Sequence, residues 1–469
     1  QTIPVLHQGF AWDPEDFQAL SGVPSFGHSL IQRYYFCGGV GVPLVVERKR
    51  QLAFPVEARF FPKTSSFAAT AVLRFENKVT GPVSSAIEEE SPVLEFYNPL
   101  VQRRIETWGS SVPLAVDLTA PLTHALRDTP RTYMAGFVAP GQPETTAHLQ
   151  FYEPYQPGKI PLVIVHGLFS DPQSWADLVN DLRASPGFAN RYQIWVYRYP
   201  TGQGFLQSAA TFRQELLAAR EHLCPDGTDP ALDQMILVGH SMGGLISKLQ
   251  VTYSDERIWE RVSDRPLDEI LTTKATRARL FETCYFDPLP FVKRVVFIAT
   301  PHCGSLRSSQ WFGRGASQLV RPSPEQAQMH EQLIHDNPDA FSPLIQRRFP
   351  TSIDLLSSRS PLLDAMRKME IANDVKLHSI IGIFTPVSFD GPSDGIVSVH
   401  SANHPGCAST ITVAAPHGHV HRDQKTSAEV LRILEIHWQS TAIHVEESGL
   451  TSVSSGLLLT PSEEATSSP

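Results

Sequence analysis

From Leu149 onward, short apolar runs alternate with long amphipathic stretches, and this alternation limits the possible folds more than any other feature of the chain. The apolar runs have the length of strands: PLVIV (161–165), YQIWVYRY (192–199), MILVG (235–239), VKRVVFIA (292–299), KLHSIIGIF (376–384) and STITVAA (409–415). Helical patterns lie between them, beginning at Ser174, at Phe205, after Ser241 and at Thr426. Such an alternation predicts an α/β domain at residues 149–445, with a mostly parallel central sheet and helices on its faces.

The regions outside this alternation differ from it in character. Residues 1–148 contain many prolines and short alternating apolar runs, which predict a β-rich N-terminal accessory region. Residues 254–291 and 302–375 are too long for simple connections and have helical patterns, so we expect helical lid insertions over the carboxyl ends of the strands. The tail at 446–469 is rich in Ser, Thr and Glu, which predicts disorder.

The composition excludes several classes of protein. With 41 % hydrophobic and 19 % charged residues the chain is expected to fold. Its net charge is −9 and its basic residues are scattered, so the sequence predicts no basic surface for nucleic acid. No apolar run approaches the roughly 20 residues of a membrane span. The cysteines form no Cys-x-x-Cys pair, which argues against a zinc knuckle, and their odd number leaves disulfides open.

The sequence leaves the cellular compartment open. It starts at Gln1 and not at Met. This start is compatible with a signal peptide or lipoprotein leader that has been removed, and therefore with export or a place in the cell envelope.

The segment QMILVGHSMGGLISKLQV carries the strongest chemical signal. It places Ser241 at the centre of a Gly-x-Ser-x-Gly pattern between an apolar strand and a helix. A sharp strand-to-helix turn strains the serine backbone, projects its oxygen above the sheet and brings the helix amino end under the developing negative charge. Ser393 is the centre of a second match, but it follows a polar loop and precedes IVSV, so we interpret it as a chance turn. Ser241 is the predicted nucleophile.

A serine hydroxyl attacks well only when a neutral imidazole takes its proton and a carboxylate orients that imidazole. For a nucleophile on this kind of turn, the residues follow in the order Ser, acid, His. Asp394 fits the acid, because it lies between the last two predicted strands. The base is one of three histidines in APHGHVHRD. We prefer His417, where the last strand ends, over the alternative His419 and over His421.

An oxyanion hole requires two backbone N–H groups near the nucleophile. One comes from the residue after the nucleophile, and the other from the loop after the first core strand. The run IVHGLFSDPQSW places His166 and Gly167 at the end of that strand. Met242 and Leu168 are therefore the predicted oxyanion-hole residues.

With these residues placed, residues 149–440 resemble bacterial lipases and lipase-like esterases of the α/β-hydrolase superfamily. The similar segments are VHGLFSDPQSW, VGHSMGGLIS, ATPHCGS, TSIDLLSSRSPLL and SDGIVSVHSA. In such proteins the position after TPH is often Arg or Lys, whereas here it is Cys303, which we interpret as a buried packing thiol. The resemblance implies an α/β-hydrolase fold with activity on esters, and acyl lipids as the substrate class.

These observations predict a carboxylic ester hydrolase, a lipase or lipase-like esterase, that acts through an acyl-enzyme and needs no cofactor or metal. The same three residues would also serve an acyltransferase or a phospholipid acylhydrolase, and the sequence does not separate these. A non-catalytic binding protein with this fold would normally have lost one of the three. We expect an acyl ester or lipid as partner, with transient contact to a membrane or lipid interface; the oligomeric state stays open.

Overall fold

The computed structural model of the chain describes residues 3–23, 31–80, 87–107, 109–128, 133–140, 146–305, 319–348, 350–385 and 391–441. The predicted disordered tail, 446–469, lies outside the described residues. The strands are β1 (Val5–Gln8), β2 (Ala19–Gly22), β3 (Phe36–Cys37), β4 (Val42–Lys49), β5 (Thr64–Thr80), β6 (Ile87–Tyr97), β7 (Arg104–Thr107), β8 (Ser110–Pro113), β9 (Val116–Asp117), β10 (His148–Phe151), β11 (Ile160–Val165), β12 (Tyr192–Arg198), β13 (Met235–His240), β14 (Val292–Ile298), β15 (Lys376–Gly382) and β16 (Ser409–Val413).

The α-helices follow the same chain order. They are α1 (Pro55–Phe60), α2 (Ala120–Asp128), α3 (Tyr133–Val138), α4 (Ala176–Ala184), α5 (Phe188–Arg191), α6 (Phe205–Leu223), α7 (Met242–Lys248), α8 (Trp259–Val262), α9 (Lys274–Cys284), α10 (Pro324–Asp336), α11 (Pro343–Arg347), α12 (Ser352–Leu355), α13 (Pro361–Lys368), α14 (Val399–Ala402) and α15 (Gln424–Ser440). Among the described residues, no helix is both long and apolar enough to cross a membrane.

The central sheet has seven strands in the order β10-β12-β11-β13-β14-β15-β16. β10 pairs antiparallel with β12, and every other neighbouring pair is parallel. Every residue of β11 and β13 is buried, as expected for parallel strands that are covered on both faces. The predicted fold class is confirmed, and all six predicted strands belong to this sheet.

The accessory region contains a second sheet, in the order β1-β6-β5-β4-β2. It also contains helices α1, α2 and α3, which the sequence analysis did not predict. Helix α2 begins where the Asp117 carboxylate accepts the backbone N–H groups of Thr119 (2.9 Å) and Ala120 (2.7 Å). A helix of six to nine residues makes too few turns to leave a clear periodic pattern, which explains why these helices were missed.

The two sheets share one hydrophobic core. The ring of Phe60 on α1 stacks on Phe151 of β10 at 4.8 Å, and Phe151 stacks on Trp195 of β12 at 4.5 Å. All three side chains are buried. The accessory region is therefore packed against the central sheet at its β10 edge. The boundary between residues 148 and 149 stays a prediction, and β10 begins at His148.

The segments predicted as lids contain short helices. Residues 254–291 form α8 and α9, and the described part of 302–375 forms α10 to α13. The two segments are joined by an isolated bridge between Ser263 and Phe341, where the Ser263 hydroxyl donates to the Ala340 carbonyl at 2.6 Å. The insertions therefore form one connected layer.

Candidate active site

Ser241 lies on the sharp turn between β13 and α7. Its backbone has φ 52° and ψ −123°, which a non-glycine residue adopts only under strain. The Ser241 N–H donates to the Ile298 carbonyl at 2.8 Å and holds the turn in place. Gly243 permits the helix to approach the sheet, because a Cβ atom there would lie 2.3 Å from the Val165 carbonyl oxygen. The predicted strand–serine–helix arrangement is present.

The structure brings Ser241, His417 and Asp394 into one hydrogen-bonded line. His417 Nε2 lies 2.9 Å from Ser241 Oγ, and His417 Nδ1 lies 2.7 Å from Asp394 Oδ2. All three residues are less than a tenth exposed. An ionised carboxylate only accepts, so Nδ1 carries the ring proton and Nε2 presents its lone pair to the Ser241 hydroxyl. This is the tautomer that a general base needs.

Asp394 is fixed by the turn that follows β15. Its Oδ1 accepts the backbone N–H groups of Ile396 (2.9 Å) and Val397 (2.7 Å), which leaves Oδ2 for His417. The His417 N–H donates to the Asp394 carbonyl at 2.9 Å, so the two residues are joined through the backbone as well.

β15 ends two residues before its predicted end, because Phe384 donates its N–H to the Ser393 carbonyl (2.7 Å).

The other two histidines of this loop and Ser393 face solvent or have hydrogen-bond partners other than Ser241. His419 is exposed to solvent. His421 is buried, and its Nε2 donates to the Ser174 carbonyl at 3.1 Å. Ser393 follows no strained turn, and its hydroxyl lies 2.6 Å from Thr385 Oγ1. Only His417 of the three histidines forms a hydrogen bond with Ser241 within the described ranges.

The loop after β11 passes directly against the nucleophile. A Cβ atom on Gly167 would lie 3.1 Å from Ser241 Cβ, so only glycine allows this approach without a shift. Leu168 follows in the same loop, and Met242 is the first residue of α7, where a backbone N–H has no intrahelical acceptor. The Tyr199 hydroxyl donates to the His166 carbonyl at 2.6 Å and anchors the start of the loop. Gly167 and Met242 therefore lie beside Ser241, and Leu168 is the next residue after Gly167 in the loop.

The comparison with known proteins agrees with this architecture. The sequence model of the alpha/beta hydrolase family matches residues 162–420, which is more than half of the chain. The chain belongs to the alpha/beta hydrolase family. The resemblance stated from the sequence motifs is confirmed at the level of this superfamily. No curated protein sequence matches the chain.

Solved structures with a similar fold include three that cover most of this hydrolase. The mature lipase BlEst2 of Bacillus licheniformis is 18 % identical, with 63 % of this chain and 99 % of that chain covered and a TM-score of 0.37. The Staphylococcus hyicus lipase is 16 % identical (63 % and 98 % covered, TM-score 0.35). EstA from Clostridium botulinum is 12 % identical (60 % and 88 % covered, TM-score 0.36). These similarities are too low to bear on activity.

A buried histidine behind the nucleophile of this hydrolase was missed by the sequence analysis. His240 Nε2 donates to the His417 carbonyl at 3.0 Å, which ties the end of β13 to the loop that carries His417. Burial lowers the pKa of His240 to about 3, so the ring is neutral and has one proton to donate. The signal in the sequence was a histidine at the end of an otherwise apolar strand.

The accessory region of the hydrolase also contacts the loop that carries the predicted oxyanion-hole residue Leu168. Phe137 of α3 is almost fully buried, and its ring lies 4.0 Å from that of Phe169 in the loop after β11. The same apolar cluster contains Val138, Leu168, Val320 and Ile353. One wall beside the predicted oxyanion hole is therefore built from the accessory region, the central domain and an inserted segment.

Proposed function

We propose that this hydrolase cleaves carboxylic esters through Ser241 as nucleophile, His417 as general base and acid, and Asp394 as the group that orients His417. The observation that carries the proposal is the continuous line of two hydrogen bonds, 2.9 Å from Ser241 Oγ to His417 Nε2 and 2.7 Å from His417 Nδ1 to Asp394 Oδ2. This geometry is the one by which an imidazole activates a serine hydroxyl.

The reaction proceeds in two halves. Ser241 Oγ attacks the acyl carbon while its proton passes to His417 Nε2, and the carbonyl electron pair moves onto oxygen. The backbone N–H groups of Leu168 and Met242 stabilise that oxyanion, and each such donor is worth about 10²–10³-fold in rate. The imidazolium then protonates the departing alcohol, leaving an acyl-enzyme. Water attacks this ester while His417 takes its proton, and the carboxylic acid leaves as Ser241 is restored.

An apolar substrate, such as an acyl lipid, fits the apolar cluster of Phe137, Leu168 and Phe169 beside the predicted oxyanion hole. The inserted segments and the start of α6 also line a cavity of about 340 Å³, whose lining does not include Ser241, Asp394 or His417. It is lined mostly by apolar side chains, among them Leu206, Met329, Leu333, Phe341, Leu355 and Leu362. A volume of this size falls in the range of small-molecule pockets. We propose that the insertions 254–291 and 302–375 act as lids that present this apolar surface to a lipid chain.

Hydrolysis of p-nitrophenyl butyrate and palmitate by matched pairs of variants tests this function. We expect Ser241→Ala to lower kcat by at least about 10⁴-fold, and Ser393→Ala to leave it within a few fold. His417→Ala should be similarly inactive while His419→Ala stays active. If wild type and Ser241→Ala are equally inert on both esters, the proposed function is wrong. A preference for butyrate over palmitate would contradict the lipid substrate.

A further inference from the structure

We propose that residues 31–35 of the accessory region position the loop that carries His417, through a buried network of four charged side chains. The network consists of Arg33, Asp177, Asp181 and Arg422. The inference rests on the proposed function, in which His417 is the base. It gives the accessory region a positioning role, in which its described residues act through the histidine loop and not on the reacting atoms.

Arg33 connects helix α4 to the histidine loop. Its guanidinium donates to both carboxylate oxygens of Asp181, from Nε to Oδ1 at 2.8 Å and from Nη2 to Oδ2 at 2.5 Å. The same Nη2 donates to the backbone carbonyl of Arg422 at 3.1 Å. The side chain is only 12 % exposed and that of Asp181 5 %, so water competes little for these bonds. One accessory side chain therefore holds two elements of the central domain together.

A second carboxylate repeats this connection. Asp177 Oδ1 accepts the backbone N–H of Gln32 at 2.7 Å, and its Oδ2 accepts Arg422 Nε at 2.9 Å. The Asp177 side chain is fully buried, and that of Arg422 is 13 % exposed. Two carboxylates thus face two guanidinium groups, and each carboxylate is held by the accessory segment on one side. A buried set of charges is tolerable only when it is paired in this way.

The network ends close to the reacting residues. His417 and Arg422 are the first and last residues of one short 3₁₀ turn, His417–Arg422. At the start of the turn, the His417 N–H donates to the Asp394 carbonyl, and the His417 carbonyl accepts from His240. Loss of the hydrogen bonds that Arg33 and Asp177 form with Arg422 would release one end of this turn. Misplacement of a catalytic group by about 1 Å can cost about 10²-fold in rate, so a small shift of His417 is sufficient to lower kcat.

The test compares Arg33→Met and Arg33→Lys with a matched control, Arg103→Met. Arg103 is also an accessory arginine that binds helix α4, but it donates to the Arg183 and Ala184 carbonyls (3.3 and 2.9 Å) at the carboxyl end of the helix and not to the Asp181 carboxylate or the Arg422 carbonyl. We would measure kcat and KM for p-nitrophenyl butyrate, and amide hydrogen exchange of the full-length protein by mass spectrometry.

We expect Arg33→Met to lower kcat about 10- to 100-fold with KM within about twofold, and to speed exchange in peptides covering 417–427. Arg33→Lys should recover part of kcat, since it keeps the charge but loses the bidentate hydrogen bonds to Asp181. Arg103→Met should change neither kcat nor exchange at 417–427. If Arg33→Met does not fold, Arg33→Lys alone carries the comparison, with an expected loss of about threefold or more.

The two proposals fail in different ways. A wild-type protein without Ser241-dependent hydrolysis contradicts the proposed function, and the exchange measurement still reports whether Arg33 orders the histidine loop. If wild type is active and the Arg33 variants match Arg103→Met in kcat and in exchange at 417–427, the positioning role is wrong.

Discussion

Replacement of Asp394 by Asn tests the orientation of His417 with almost no change in shape. The oxygen of the new amide should remain with the N–H donors of Ile396 and Val397, because the amide nitrogen cannot accept them. The NH₂ group then takes the place of Oδ2 and donates to His417 Nδ1. His417 must carry its proton on Nε2, which faces Ser241 2.9 Å away and can no longer accept the hydroxyl proton.

A wrong tautomer of this kind costs about 10⁴-fold in kcat, or about 5.5 kcal/mol of transition-state stabilisation at about 1.4 kcal/mol per tenfold. The assay is p-nitrophenyl butyrate hydrolysis, with circular dichroism to establish that the variant is folded. Ser393→Ala, at the residue directly before Asp394, is the matched control and should stay near wild-type activity. A folded Asp394→Asn variant that keeps more than about a tenth of the wild-type kcat would refute the assigned orientation.

Two further outcomes test other parts of the structure. Burial lowers the pKa of His166 to about 4 and that of His240 to about 3, from 6.5. Below pH 6.5 the unfolded chain therefore binds more protons than the native protein, so the free energy of unfolding should fall on acidification towards pH 4, by up to about 1.4 kcal/mol per histidine per pH unit. Urea titrations at pH 7 and pH 5 measure this, and an unchanged midpoint would contradict it. Gly244→Ala should destabilise the protein by about 1–3 kcal/mol, since its Cβ would lie 1.9 Å from Thr300 Oγ1, whereas Gly38→Ala meets no atom within 4 Å; equal thermal midpoints for the two variants would argue against this packing.

The central sheet could be predicted because most of its parallel strands contain a local apolar run. A strand buried on both faces must be apolar along its whole length, and β11 and β13 show this in their sequences. The edge strand β10 was not predicted, since it has four residues, of which two are polar. The preference for His417 followed from its place directly after the last strand, and the sequence alone could not show which ring would face Ser241.

Contacts between segments that are distant in the sequence could not be predicted, because they leave no local pattern in it. Arg33 and Asp181 are 148 positions apart, and neither differs in its sequence surroundings from an ordinary surface charge. Phe137 beside Phe169 is a similar case. Such pairs are determined by how the accessory region packs on the central domain, which the pattern of either region alone does not specify.

The central claim is that Ser241 is a nucleophile activated by His417. Peptide mass spectrometry after treatment with a fluorophosphonate tests it most directly, because the reagent bonds only to an activated serine. We predict one adduct, on the peptide that contains Ser241, which His417→Ala abolishes and His419→Ala retains. Absence of an adduct on wild-type protein, an adduct on Ser393 instead, or labelling of Ser241 that survives His417→Ala would contradict this account.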